Sequence, residues 1–197
     1  KTYFIKHFLF TFTKNTNSEY IEEWLTHFFK TLRRRREALV LIGNKDVSEE
    51  MFYNAIIKQI FGFDYCSTIN DWMLENLTVA QIVENKLFIH INYIPEDKNH
   101  QKKLKDLLES VIVYDFSKQY TQNTHYLCQI IFTLDYPHPF LSDFLSLSNV
   151  FFINPMKNVN KKLNQPDRVS LLNNITKNLD EFSKQLAALE LSQAKTY

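Results

Sequence analysis

The sequence has little glycine: Gly43 and Gly62 are the only two in 197 residues. That excludes a GxGxxG dinucleotide loop and any glycine-rich phosphate cradle, which need several residues without a β-carbon. Two cysteines, Cys66 and Cys128, are too few for a disulfide framework or a cysteine-based zinc site. They read as reduced core thiols. No apolar run approaches the roughly 18 residues of a membrane-spanning helix, and no signal peptide stands at the start. Charge of one sign is also missing: 23 Lys and Arg face 22 Asp and Glu, a net charge of +1. Attraction to a polyanion must therefore come from a local patch. The six histidines are scattered, none at metal-ligand spacing. His90 reads as a satisfied core histidine.

What is present suffices for a packed core. Hydrophobic residues make up 45% of the chain and aromatic residues 15%. The length suits one domain with an appendage. Starting at Lys1, the chain reads as a piece of a longer intracellular polypeptide. Residues 1–17 form an aromatic N-terminal segment. Thr16-Asn17-Ser18-Glu19 has capping-box spacing, and Tyr20, Ile21, Trp24, Leu25, Phe28, Phe29 and Leu32 then recur at helical period. Ala38–Ile42 reads as a buried strand of a parallel sheet. Asp46-Val47-Ser48-Glu49 opens a helix that stops near Gly62. Further buried strands are predicted at 87–91, 128–134 and 150–153, with a Lys-rich helix over 98–110. A hairpin or extended loop is predicted over 111–124. A linker over 157–168 leads to a helix carrying Leu172, Ile175, Leu179, Phe182, Leu186 and Leu189, either docked on its own domain or forming a coiled-coil seam. The whole reads as an α/β domain over 18–156, with a linker and C-terminal helix over 157–197. Ligands of such sheets sit at the carboxyl ends of the strands.

At the first strand end, Gly43-Asn44-Lys45-Asp46-Val47-Ser48-Glu49-Glu50 has the position and length of a GxxxxGK[ST] phosphate loop. Ser48 takes the place of the second glycine, Glu49 of the lysine and Glu50 of the hydroxyl residue. Carboxylates therefore stand where phosphates need cations. The plain alternative is an ordinary strand-to-helix turn with a good cap. The second strand ends in Asn92-Tyr93, where a nucleotide hydrolase needs a carboxylate for magnesium. The third ends in Thr133-Leu134-Asp135.

This order of strand ends, from Gly43 to Asp135, resembles the superfamily 3 helicase module, an AAA+-type P-loop fold. The resemblance covers roughly residues 18–155. Leu39–Gly43 looks like the approach to a Walker A loop, Lys86–Tyr93 like a Walker B strand and Gln129–Pro137 like a sensor strand. Such modules lie in the C-terminal region of phage and plasmid primase-polymerases, including that of a deep-sea vent phage. The resemblance implies a cytoplasmic replication protein in a bacterial host and a homo-oligomeric, hexameric ring. It also implies non-specific contact with single-stranded or primer-template DNA through Lys118, Lys102, Lys103 and Lys105. Arg33, Arg34, Arg35 and Arg36, the densest basic cluster, are a further candidate for phosphate contact, the alternative being a solvated helix end or a subunit contact. The nucleotide site would comprise Gly43, Asn44, Lys45, Ser48, Glu49, Glu50, Asn92, Tyr93 and Asp135. With the Walker residues replaced, that site is expected to be inactive and without a cofactor; only an attached polymerase domain would need Mg. Two alternatives remain open: a working ATPase using Lys45, Glu96 and Asp97, and a protein-interaction module unrelated to DNA.

Overall fold

The computed structural model describes residues 5, 7, 9, 18–32, 38–43, 48–110, 128–141, 150–153 and 165–188. Helix α1 (Ser18–Thr31) leads to strand β1 (Ala38–Ile42). Helix α2 begins as a π-helix (Ser48–Ile57) and ends in one α-turn (Lys58–Phe61). Gly62 stops it with φ of 95°, its N–H closing on the Lys58 carbonyl, a conformation that favours glycine. A 3-10 turn (Phe63–Tyr65) then enters β2 (Cys66–Thr68), which precedes α3 (Asp71–Asn76) and α4 (Val79–Val83). The remaining elements are β3 (Phe88–Ile91), α5 (Lys98–Ser110), β4 (Gln129–Leu134), β5 (Val150–Ile153) and α6 (Gln165–Ala188).

All five strands are parallel, in the order β2-β3-β4-β1-β5. Strands β1, β3 and β4 are buried along their whole length, as largely apolar strands in a sheet covered on both faces are. The pleat divides their side chains. Leu39, Leu41, Phe88 and Ile131 pack with α1, α2 and α6 on one face. Val40, Ile42, Ile89, Ile91, Ile130 and Phe132 pack with α3, α4 and α5 on the other. On the first face, Phe28 and Phe61 meet Phe88 with ring centroids 4.9 and 4.6 Å away. Ile175, Leu179, Phe182 and Leu186 of α6 join this cluster, so the C-terminal helix docks on its own chain.

The structure corrects the sequence reading in three places. Strand β2 was not foreseen: it has only three residues, Cys-Ser-Thr, and no apolar run. Helices α3 and α4 were also missed, although each carries its own cap. The Asn70 side chain accepts the Met73 N–H, and Thr78 and Gln81 form a reciprocal capping box. The linker predicted to Arg168 is too long, because α6 begins at Gln165. The predicted hairpin over 111–124 lies outside the described residues. Both cysteines are buried, and no disulfide joins them. No helix among the described residues is long and apolar enough to cross a membrane.

Candidate functional site at the strand ends

The chain leaves β1 through a helix on one face and travels from β2 to β4 through helices on the other. Where neighbouring strands send their chains to opposite faces, a crevice opens at their carboxyl ends. Gly43, Asn92-Tyr93 and Asp135 follow directly on β1, β3 and β4. The first of these ends is fastened: the Gly43 N–H donates to the Leu134 carbonyl at 2.8 Å.

Across the crevice, the Asn92 side-chain amide donates to Glu49 Oε2 at 3.1 Å. These residues lie 43 positions apart, and both are half-buried. These are the two residues that the sequence reading set against a phosphate-loop lysine and a magnesium-binding acid. In the bond between them the helix supplies the acceptor and the strand a neutral donor. Glu49 and Glu50 lie in the first turn of α2, so the helix start carries its own negative charge.

The neighbouring groups have other tasks. The Tyr93 hydroxyl donates to Asp71 Oδ1 at 2.7 Å; burial first, then that bond and the charge of Asp71, hold its proton more tightly than in a free tyrosine. Asp97 accepts the N–H groups of Asn99 and His100 at the start of α5. The His100 bond leads in holding its carboxyl below the usual range. Asp97 is therefore a helix cap rather than a spare metal ligand. Asp135 is exposed at the end of β4. No cluster of three metal-ligating side chains occurs among the described residues.

Beneath the crevice lies a polar row centred on His90, the satisfied core histidine expected from the sequence, whose partners the sequence did not reveal. His90 is fully buried in β3, its Nε2 2.8 Å from Thr133 Oγ1 on β4 and its Nδ1 3.2 Å from Thr68 Oγ1 on β2. One ring nitrogen donates and the other accepts, and each hydroxyl turns to suit. Tyr53 of α2 stacks on the imidazole with centroids 4.2 Å apart, and its hydroxyl donates to the Ser67 carbonyl. Burial, helped by Lys58, pushes His90 down to about 3, so the ring is neutral. Burial also pushes the Cys66 thiol up to about 11, which leaves it a poor nucleophile.

The predicted nucleotide positions thus divide. Gly43, Glu49, Asn92, Tyr93 and Asp135 follow or adjoin the carboxyl ends of β1, β3 and β4; Ser48 and Glu50 open α2. Asn44 and Lys45 lie outside the described residues. Of the predicted DNA contacts, Lys102 and Lys105 are exposed on α5. Lys103 is half-buried, and its ammonium bonds the Leu74 and Leu77 carbonyls, capping the end of α3. Lys118 and Arg33–Arg36 lie outside the described residues.

No protein-family profile matches the chain, and no curated protein matches it by sequence. Solved structures do match by fold. An apo structure of the C-terminal region of NrS-1, residues 305–718, superposes with a TM-score of 0.72 at 15% identity, over 98% of this chain and 47% of that one. An A-form apo structure of the same region gives 0.70 at 17% identity, with the same coverage. The chain therefore spans less than half the length of the structures it matches. At these identities the likeness shows a shared α/β fold.

Proposed function

We propose that the chain is a helicase-like module of a DNA replication primase-polymerase that works without ATP hydrolysis, assembling with copies of itself and guiding DNA to an attached polymerase. The observation that carries this reading is the Glu49–Asn92 hydrogen bond. Phosphoryl transfer depends on cations to neutralise the phosphates and a carboxylate to hold magnesium. In this crevice the carboxylate is on the wrong partner and already engaged. A triphosphate would have to displace Asn92 from Glu49 and then lie against two glutamates. The fold shared with the NrS-1 C-terminal region supports a place in replication.

DNA contact falls to Lys102 and Lys105 on α5, with Lys118 expected from the sequence. Lysines of this kind bind phosphates without reading bases. The test has two arms. Magnesium-dependent ATP turnover by the chain should not exceed background. Turnover that disappears with Lys45→Ala would overturn the reading in favour of an unusual ATPase. Binding of labelled single-stranded DNA, followed by anisotropy, should weaken steeply with salt and with Lys118→Glu combined with Lys102→Glu. Binding unchanged in that variant would remove the DNA role.

A further inference from the structure

The first ten residues of α2, Ser48–Ile57, are a π-helix. π-turns mostly occur singly, as bulges within α-helices, and they gather at functional sites. An irregular run of this length persists only where its surroundings fix it. The side chains keep the same register as the backbone. A π-helix bonds residue i to i+5, so side chains five apart share a face; in an α-helix the neighbours are three and four apart. Lys58 places its ammonium 4.9 Å from the centroid of the Tyr53 ring, five positions back. Met51, Phe52 and Tyr53 are all buried, and so are Ala55, Ile56 and Ile57. Three consecutive buried residues span about 200° of an α-helix, far more than the stripe one core-facing helix buries.

The contacts that fix this register reach the sheet at two places. The Tyr53 ring stacks on His90 of β3 at 4.2 Å, and its hydroxyl donates to the Ser67 carbonyl of β2 at 3.0 Å. One turn earlier, Glu49 accepts the Asn92 amide at the crevice. The same helix touches the C-terminal helix: Met51, Phe52 and Ile56 belong to the core cluster that takes in Ile175, Leu179 and Phe182, and α6 packs directly on α2.

We infer that α2 is a two-register switch that couples the strand-end crevice to the seat of α6. In the π register Glu49 holds Asn92 and α6 is docked. A shift toward the α register turns the start of the helix, draws Glu49 away from Asn92 and moves the side chains on which α6 rests. Packed elements exchange between discrete arrangements rather than sliding by degrees, so the change is one event along the helix. By linkage, a partner that lifts α6 opens the crevice, and a group that takes Asn92 loosens α6. This goes beyond the proposed function, which needs only the closed crevice.

Nuclear magnetic resonance on the whole chain tests the switch. Couplings through hydrogen bonds should join the amides of residues 53–57 to the carbonyls five positions back. Relaxation dispersion should reveal one exchange process on the microsecond-to-millisecond scale. Its rate should be the same at the α2 backbone, the Asn92 side-chain amide, and Ile175 and Phe182 of α6. Lys58→Met keeps the stem and removes the ammonium; the minor population should rise about fivefold, the weight of one cation–π contact. Deleting Asn54 takes one residue out of the wide turns; the couplings should then run four positions back, and α6 amides should exchange faster with solvent. If that deletion fails to fold, Lys58→Met, checked by its Tm, carries the test alone. Couplings four positions back in the parent chain, flat dispersion at α2, unrelated rates at the three places, or a minor population that Lys58→Met leaves unchanged would each overturn the inference.

Discussion

Helices α2 and α5 begin in equivalent places, each just beyond the carboxyl end of a central strand, yet they use their acids differently. At α5, Asp97 turns back on its own helix and accepts the N–H groups of residues two and three positions on. At α2, Glu49 reaches away from its helix to a side chain on another strand. The first is a local cap that any helix of this sequence would form. The second exists only when the sheet is assembled, and in the proposed reading it joins two positions that a nucleotide would need apart. A helix start is thus not an anion site merely by its dipole; what matters is whether its own carboxylates already occupy it.

The largest effect should come from the layer that holds Asn92 in place. His90, two residues earlier on β3, ties that strand to β2 and β4. His90→Leu leaves two hydroxyls without their partner and should cost about 2–4 kcal/mol in denaturant unfolding. The same residue sets an acid limit. Its folded pKa of about 3 lies below the unfolded value, so the unfolded chain takes up the proton first. Its contribution is fully present above about pH 6.5 and is lost as pH falls from there toward about 3. The unfolding free energy should drop across that window in the parent chain, and the slope should flatten in His90→Leu.

A double-mutant cycle sharpens the comparison itself. Glu49→Ala and Asn92→Ala should couple by about 1 kcal/mol, the worth of one partly buried hydrogen bond. Asp97→Ala and Asn92→Ala should be additive. A cycle without coupling at Glu49 would mean that the two helix starts do not differ. The smallest effect belongs to Asp97→Ala alone. It should loosen only the first turn of α5, read as faster amide exchange at Asn99 and His100, with little change in Tm.

The sequence reached the central strands because Ala38–Ile42 is apolar throughout, and Leu87–Ile91 and Cys128–Leu134 are mostly apolar, the pattern of strands covered on both faces. It reached α1 and α6 through their period, and α5 as a polar, Lys-rich stretch after a strand. It passed over β2, where Cys-Ser-Thr has neither length nor pattern and only pairing with Phe88–His90 makes a strand. The start of α2 shows the same limit. Glu49 and Asn92 each stood out as replacements in a motif, but no local pattern links residues 43 positions apart. The exposure of Phe63, Tyr65 and Trp72 was equally hidden, since aromatic residues ordinarily signal a core. What escaped were consequences of tertiary pairing and of its limits at the sheet edge.

The most direct test of a crevice closed by Glu49 and Asn92 is calorimetric titration of the chain with magnesium-ATP. The account predicts no saturable heat, in the parent chain and in Asn92→Ala alike, because the glutamates of α2 remain in both. A one-to-one binding isotherm in the parent chain would contradict it and would make the chain a nucleotide-binding protein with its phosphates held elsewhere along the strand ends.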